Sequence, residues 1–399
     1  MHIQRCLDVC RKMRWPIPSS SALAHCEQVL LNISQHIAAN NGWLPFDEYM
    51  AQALYAPSLG YYSAGAQKLG ESGDFITSPE LSPLFGRVMA NSMSEVAKPL
   101  ASFSILEFGA GSGQLARDIL ASLYEKGCLP NHYYILDVSA DLKQRQYSLL
   151  AELLPAAIFE RIVWLDRLPS SDEPLLVVAN EVADAIPCQW VRKQPSHWEA
   201  AGVVVDDTNT LQIEWRQVEE SLVDHRWLPR DGTAELMAPY HIEIGERALG
   251  WFSSMLEAIS KGAIWLIDYG FGEKEWYLPE RRCGTLMCHY LHRGHSDPLF
   301  FPGLQDITYH INFSAFAYLA KNTGWSVDGF VSQADFLLNN GLLESCSALS
   351  DEEQFAAANQ IKRLTAPGEM GEIFKVLTLS NRMGALPSSN ERSNRWHQL

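Results

Sequence analysis

The segment LEFGAGSGQLARDIL (residues 106–120) runs a short apolar strand into a helix through glycines at 109, 111 and 113. Glycines at such a strand-to-helix turn let the backbone bend sharply and approach a ligand at the helix N-terminus. Two registers overlap: Gly109–Gly113 reads GxGxG, while Gly111–Ala116 also fits the dinucleotide fingerprint GxGxxA. A pyrophosphate loop places its first glycine directly after the strand, which is Gly109; the sixth position from it is then Gln114, where close packing wants Gly or Ala. The dinucleotide register therefore fits poorly. Glu107 decides more, because a carboxylate two residues before the first glycine repels phosphate and attracts a cation. S-adenosylmethionine carries an ammonium, a sulfonium and no phosphate. The plain alternative is a strand-helix turn with no ligand.

The following strand, YYILDVS (133–139), is apolar until Asp137. An acid roughly 20 to 25 residues past the glycines is the acceptor for ribose hydroxyls, so Asp137 supports an adenosine ligand without choosing between the two. From about residue 102 the chain alternates strand and helix: 104–108, 112–126, 133–137, 140–153, 161–165 and 174–179. That pattern implies parallel strands with right-handed crossovers, the doubly wound α/β class. Ligands in such sheets lie beyond the carboxyl ends of the strands, where Glu107, Asp137, Asp166, Asn180 and Asp268 all fall.

The 399 residues are 47% hydrophobic, ample for a packed core. A formal charge of −16 argues against a nucleic-acid surface and suits a basic peptide partner. The eight cysteines show no regular spacing and suggest a reducing compartment. No apolar run approaches the roughly 20 residues that span a bilayer. The opening MHIQRCLDVCRKMRW is basic, lacks a strong serine-rich amphipathic pattern, and reads as a ragged or mis-started N-terminus.

Residues 1–100 read as a helical N-terminal cap, with helices at 19–40 and 43–62, expected to close as a lid over the donor site. Residues 101–380 form the Rossmann-like core, interrupted by a β-ribbon at about 188–243 and a Gly/Pro-rich segment at 271–312 that is a candidate substrate loop. The polar tail 381–399 is expected to be disordered.

With the glycine loop, Asp137, NEVADAIP (180–187) and IDYG (267–270) in hand, the chain resembles the MidA-like S-adenosylmethionine-dependent methyltransferases. Further matching strings are LPFDEYMAQALYAPSLGYYSAG (44–65), GDFITSPELSPLFG (73–86), LDVSADLKQRQ (136–146), GTLMCHYLHRGHSDPL (284–299), QDITYHINFSAF (305–316) and GEIFKVL (371–377). The resemblance implies a class I methyltransferase whose mitochondrial relatives, complex I assembly factors, dimethylate an arginine of a partner subunit. It implies S-adenosylmethionine as donor, S-adenosylhomocysteine as product, no metal, and a protein substrate such as a respiratory-complex subunit. A bacterial cytoplasm is the expected location and the mitochondrial matrix the alternative; the oligomeric state is left open, with a homodimer among the options. The sequence departs from the family pattern at Asp137, where Glu is usual, at Val182-Ala183, where an aromatic pair is usual, and at Asn312, where Asp is usual. The last two are expected to alter the pocket wall.

Carried over residue by residue, the donor site comprises Glu107, Gly109, Gly111, Gly113, Asp137 and Asn180, with Asp74 and Thr77 closing over it. Asp166 would reach the adenine amine, or else be a solvated strand end. An arginine acceptor is protonated at neutral pH, so carboxylates must localise its charge and receive a proton. Glu181 and Asp184 end strand four three residues apart, a spacing that shares a face if a helical turn begins there; otherwise Asp184 caps a turn. His310 is the third catalytic candidate, with a packed loop histidine as the alternative. Glu80, Tyr61, Tyr62, Asp268 and Tyr269 are candidate substrate contacts, the tyrosines by cation-π walls or as plain core. Cys283, Cys288, His289, His292 and His295 match no standard zinc spacing. Two other classes stay open: a quinone-precursor methyltransferase, which needs an enclosed apolar pocket, and an assembly chaperone that binds the donor only for stability.

Overall fold

A computed structural model describes residues 1–64, 76–169, 173–229, 236–384, 386 and 393–399. Asp74 lies outside the described residues. The chain divides into two compact units: one holds Ile76–Ala183, Trp251–Glu273 and Ile311–Leu399, the other Met1–Phe75, Asp184–Gly250 and Lys274–His310.

The first unit is the doubly wound sheet. Its strands are β1 (Ser104–Phe108), β2 (Tyr133–Leu136), β3 (Ile162–Leu165), β4 (Leu175–Asn180), β5 (Gly262–Phe271), β6 (Ser326–Ser332) and β7 (Phe374–Asn381). They lie in the order β6-β7-β5-β4-β1-β2-β3, with Ile311–Asn312 pairing against β5 as an eighth strand. Pairs β5-β4, β4-β1, β1-β2 and β2-β3 are parallel, whereas β7 runs antiparallel to both β5 and β6. The reversal in strand order beside β1 and β4 is the topological switch point at which such sheets bind ligands. Helices α1 (Pro83–Ala97), α2 (Gln114–Glu125) and α3 (Ala140–Leu153) follow in the chain. All five β1 residues are buried, as expected of a central parallel strand covered on both faces.

The expected boundary near residue 100 falls instead at about 76. The reason is packing: α1 buries Leu84, Phe85, Val88, Met89 and Met93 in the same core cluster as Ala116, Ile119, Leu120 and Leu123 of α2. Its Gly86 lets the helices touch, since a Cβ there would lie 2.4 Å from Cβ of Asp118. The tail, expected as disordered, contributes Asn394, whose Oδ1 accepts from the Phe330 amide at 3.0 Å, and Arg395, which pairs with Glu372 and Asp335.

In the second unit the N-terminal residues and both insertions form one body. Leu44–Pro45 pairs with Trp198–Val205, which is flanked by Gln189–Lys193 and Leu211–Val218, and Tyr240–Ile244 completes an antiparallel five-stranded sheet. Gly202 sits under the Trp43 ring, where a Cβ would come within 2.2 Å. The opening residues are not ragged: His2–Met13 is a helix whose Cys6 and Cys10 pack with Cys26, Tyr290, Phe300 and Phe301. Its buried face, His2, Cys6 and Cys10, repeats at the helical spacing of four residues.

Among the described residues no helix is long and apolar enough to cross a membrane.

Candidate functional site

The glycine loop forms as its spacing predicts. Gly109, Gly111 and Gly113 take φ of 58°, 54° and 93°, conformations costly for any residue with a Cβ. The Gly109 amide donates to the Leu136 carbonyl at 3.0 Å and the Gly113 amide to Ala110 at 2.8 Å, which fixes the loop between β1 and α2. Val182 stands against the loop, its Cγ2 3.3 Å from where a Gly109 Cβ would be. The departure at Val182 therefore bears on the loop itself.

Glu107 is 2% exposed and accepts a 2.7 Å bond from the Tyr133 hydroxyl. Burial pushes its carboxyl up to about 8, against the pull of that hydrogen bond; the Asp137 charge adds to the rise. A cation beside such a carboxyl would lower its pKa and favour the ionised form. Asp137 is buried with Oδ1 accepting from the Ser139 amide and Oδ2 from Gln146 Nε2, both at 2.9 Å. Burial raises its pKa while these two donors lower it.

At the end of β4, Asn180 Nδ2 donates to Glu181 Oε1 at 3.0 Å, and the Ser78 amide donates to the same oxygen at 3.4 Å. Asn180 Oδ1 is a buried acceptor with no partner among the described residues. Such an acceptor suits the ammonium of a sulfonium amino acid. Glu181 has φ of 55°, a conformation that costs a non-glycine residue about 1 to 2 kcal/mol and persists where surroundings enforce it. Thr77 opens the short helix Ser78–Leu81, whose Glu80 accepts from the Ser112 hydroxyl of the glycine loop. Glu80, expected to touch substrate, thus ties this helix to the loop.

Several expected contacts are used otherwise. Asp166 is 95% exposed and paired with Lys143 at 2.5 Å, so it is the solvated strand end and is not aimed inward at adenine. Asp268 is fully buried; Oδ2 accepts from the Ala183 amide at 2.9 Å and Oδ1 from Tyr269 at 2.8 Å, so it shapes the turn after β4 and does not face a substrate. Tyr269 packs on Phe374 with centroids 3.9 Å apart, a core contact. Asn312 caps the helix Phe313–Asn322 by accepting from the Ser314 amide at 3.1 Å, the bond an aspartate makes.

The remaining candidates belong to the other unit. Tyr61 is 1% exposed and meets Tyr62 edge-on, while Tyr62 stacks on Tyr55 and donates to Asp306 at 2.9 Å. Tyr61 is a core tyrosine and Tyr62 is half-buried against its neighbours. Asp184 is buried in the 3₁₀ turn Ala183–Ala185; Glu181 precedes that turn in left-handed backbone, so the shared helical face suggested by their spacing does not form. The His310 amide donates to Thr285 Oγ1 at 3.1 Å, and that hydroxyl donates to Glu243 at 2.9 Å. Glu243, 1% exposed, also takes the Thr285 amide at 3.0 Å; sequence reading missed it because its partners lie 42 residues away. Gln146 was missed too, because its string LDVSADLKQRQ marks a stretch of chain and not the partners that Gln146 meets in the fold. Among the described residues no group of three or more His, Cys, Asp or Glu is placed to hold a metal; His295 instead packs at a tilt against Trp15.

This strand order, with a glycine loop at the switch point, a buried acid before it and a second buried acid after the next strand, defines a class I S-adenosylmethionine-dependent methyltransferase. A family model described as "Putative S-adenosyl-L-methionine-dependent methyltransferase" matches residues 84–331. The chain belongs to that family, the MidA-like methyltransferases, and S-adenosylmethionine is its methyl donor. It is similar to a "likely methyl transferase" from Burkholderia thailandensis whose crystal structure holds S-adenosyl-homocysteine: 38% identity, TM-score 0.90, covering 96% of this chain and 100% of that one. The mouse "Protein arginine methyltransferase NDUFAF7, mitochondrial" is 28% identical, over 89% of this chain and 85% of its own length. The Drosophila melanogaster homolog is 27% identical, over 92% and 89%.

Proposed function

We propose that the protein transfers the donor's methyl group to an arginine of a partner protein. The observation that carries this reading is the Glu181 carboxylate, presented in left-handed backbone at the carboxyl end of β4, beside the strand that feeds the glycine loop. The names of the curated relatives support it.

Transfer is an in-line displacement: the acceptor nitrogen attacks the methyl carbon, the carbon–sulfur bond breaks with its electron pair going to sulfur, and the nitrogen loses a proton. A guanidinium has no free lone pair until charge is drawn to its other nitrogens. Glu181 would accept its N–H bonds and localise the cation, with Asn180 and the Ser78 amide orienting the carboxylate. Glu107 and Asp137 hold the donor cation and ribose. Asp184 and His310 are secondary candidates for receiving the proton.

The acceptor we infer is a soluble partner or respiratory-complex subunit met in a bacterial cytoplasm or, as the relatives' names suggest, a mitochondrion. Incubation with methyl-labelled donor and extract of the source organism tests this. Label should enter a protein band and, after hydrolysis, methylarginine; label only in a solvent-extractable molecule overturns the reading.

A further inference from the structure

Gln146 ends the string LDVSADLKQRQ and is fully buried, although its amide is polar. Its Nε2 donates to Asp137 Oδ2 at 2.9 Å and to the Gly111 carbonyl at 3.1 Å. Its Oε1 accepts from the Trp164 indole at 3.1 Å. An indole N–H only donates, so Trp164 identifies the oxygen side of the amide and holds both amide protons toward the loop and the acid. Backbone contact is equally close: a Cβ on Gly113 would lie 3.4 Å from Gln146 Cα. One side chain thus joins β3, through Trp164, to the turn after β2 and to the glycine loop after β1.

We propose that Gln146 is a positioning residue of the donor site, locking the ribose acid Asp137 and the glycine loop into one frame and so setting the affinity for the adenosine part of the donor. Asp137 Oδ1 takes the Ser139 amide and Oδ2 the Gln146 amide, which leaves lone-pair capacity for a ribose hydroxyl. Without the Gln146 donor the carboxylate is free to turn, and the loop carbonyl of Gly111 loses its tie. The charged groups facing Asp137 are Glu107 from β1 and Lys143 from α3, of opposite effect, and the Gln146 N–H adds to the side that keeps Asp137 ionised. This inference rests on donor binding alone and is independent of the acceptor.

The test is calorimetric titration of S-adenosylhomocysteine into the full-length protein and three variants across about pH 5 to 8. Gln146→Leu, close in volume, should weaken binding roughly 10- to 100-fold, the effect of removing hydrogen bonds to a charged group. Trp164→Phe, which leaves the amide free to flip, should weaken it by a smaller factor, about 2- to 5-fold. Gln146→Glu sets two carboxylates at hydrogen-bond distance, where they must share a proton. Its deficit relative to wild type should therefore shrink as pH falls. A merely structural role would lower the melting temperature of all three without that pH trend. Gln146→Leu binding within twofold of wild type overturns the proposal, as does a Gln146→Glu deficit that is flat in pH. Should Gln146→Leu fail to fold, Trp164→Phe decides: an unchanged affinity overturns the proposal.

Discussion

The two units of the chain hold their polar residues in different ways. In the sheet unit, Glu107, Asp137, Asn180 and Glu181 sit at strand ends, each fixed by partners within the same unit. In the other unit, built from three separated stretches of chain, Tyr62, Asp184 and Glu243 are bonded to residues far away in sequence: Tyr62 to Asp306, the Asp184 carbonyl to the Tyr309 amide, Glu243 to Thr285. The contrast is one of degree: Asp137 and Asn180 meet partners within ten residues, although Glu181 takes the Ser78 amide 103 residues away, whereas the bonds of Tyr62, Asp184 and Glu243 all span 42 residues or more.

The sharpest way to break this contrast is Glu181→Gln, which keeps the shape and removes the charge. Turnover on an arginine acceptor should fall at least about 100-fold, the range of a positioned acid–base group, while donor affinity stays put. Near-wild-type turnover would move the catalytic role to Asp184 or His310, in the other unit.

Next in size, Asp137→Ala should weaken donor binding by about 1.5 to 3 kcal/mol in calorimetry. Unchanged affinity would mean that the ribose is held elsewhere.

Glu107 sharpens the comparison through pH. Its native pKa is raised from 4.5 to about 8, so protonation favours the folded state: the stabilisation is full below 4.5 and is lost as pH rises through about 8. Glu107→Gln should therefore melt higher than wild type at alkaline pH, by up to a few kcal/mol of stability, and differ little in acid. Donor affinity should move the other way, since a cation prefers the ionised carboxyl: wild-type affinity rises toward pH 8 and the variant's stays flat. A melting curve and a titration at each pH read both.

The smallest effect tests the family departure at Asn312. Asn312→Asp should change stability by less than about 0.5 kcal/mol, since either side chain caps the helix, and Asn312→Ala should cost about 1 kcal/mol. A change in acceptor range with Asn312→Asp would show that the position faces substrate after all.

Much of the sheet unit was legible because its signals are local. The strand periods, the glycines and the acid at the end of β2 follow from neighbours a few residues away. Gln146 was illegible because nothing in its own stretch says that Trp164 and Gly111 meet it. Asp268 misled: a carboxylate at a strand end reads as a ligand group, and only the folded turn shows two backbone amides already using it. The opening residues read as ragged for want of a serine-rich pattern, yet Cys6 and Cys10 of that helix pack against Cys26.

The antiparallel strand β7 has a consequence for biosynthesis. It comes last of the sheet strands but lies between β5 and β6, pairing with both. During translation β1 to β5 can associate as they leave the ribosome, at several residues per second, while β5 keeps one edge bare and Ser326–Ser332 has no place to dock. A nascent chain halted just before Phe374 carries an open sheet edge, the feature that recruits other chains, and a nonsense mutation there should yield aggregated polypeptide although Glu107, the glycine loop and Asp137 have been made.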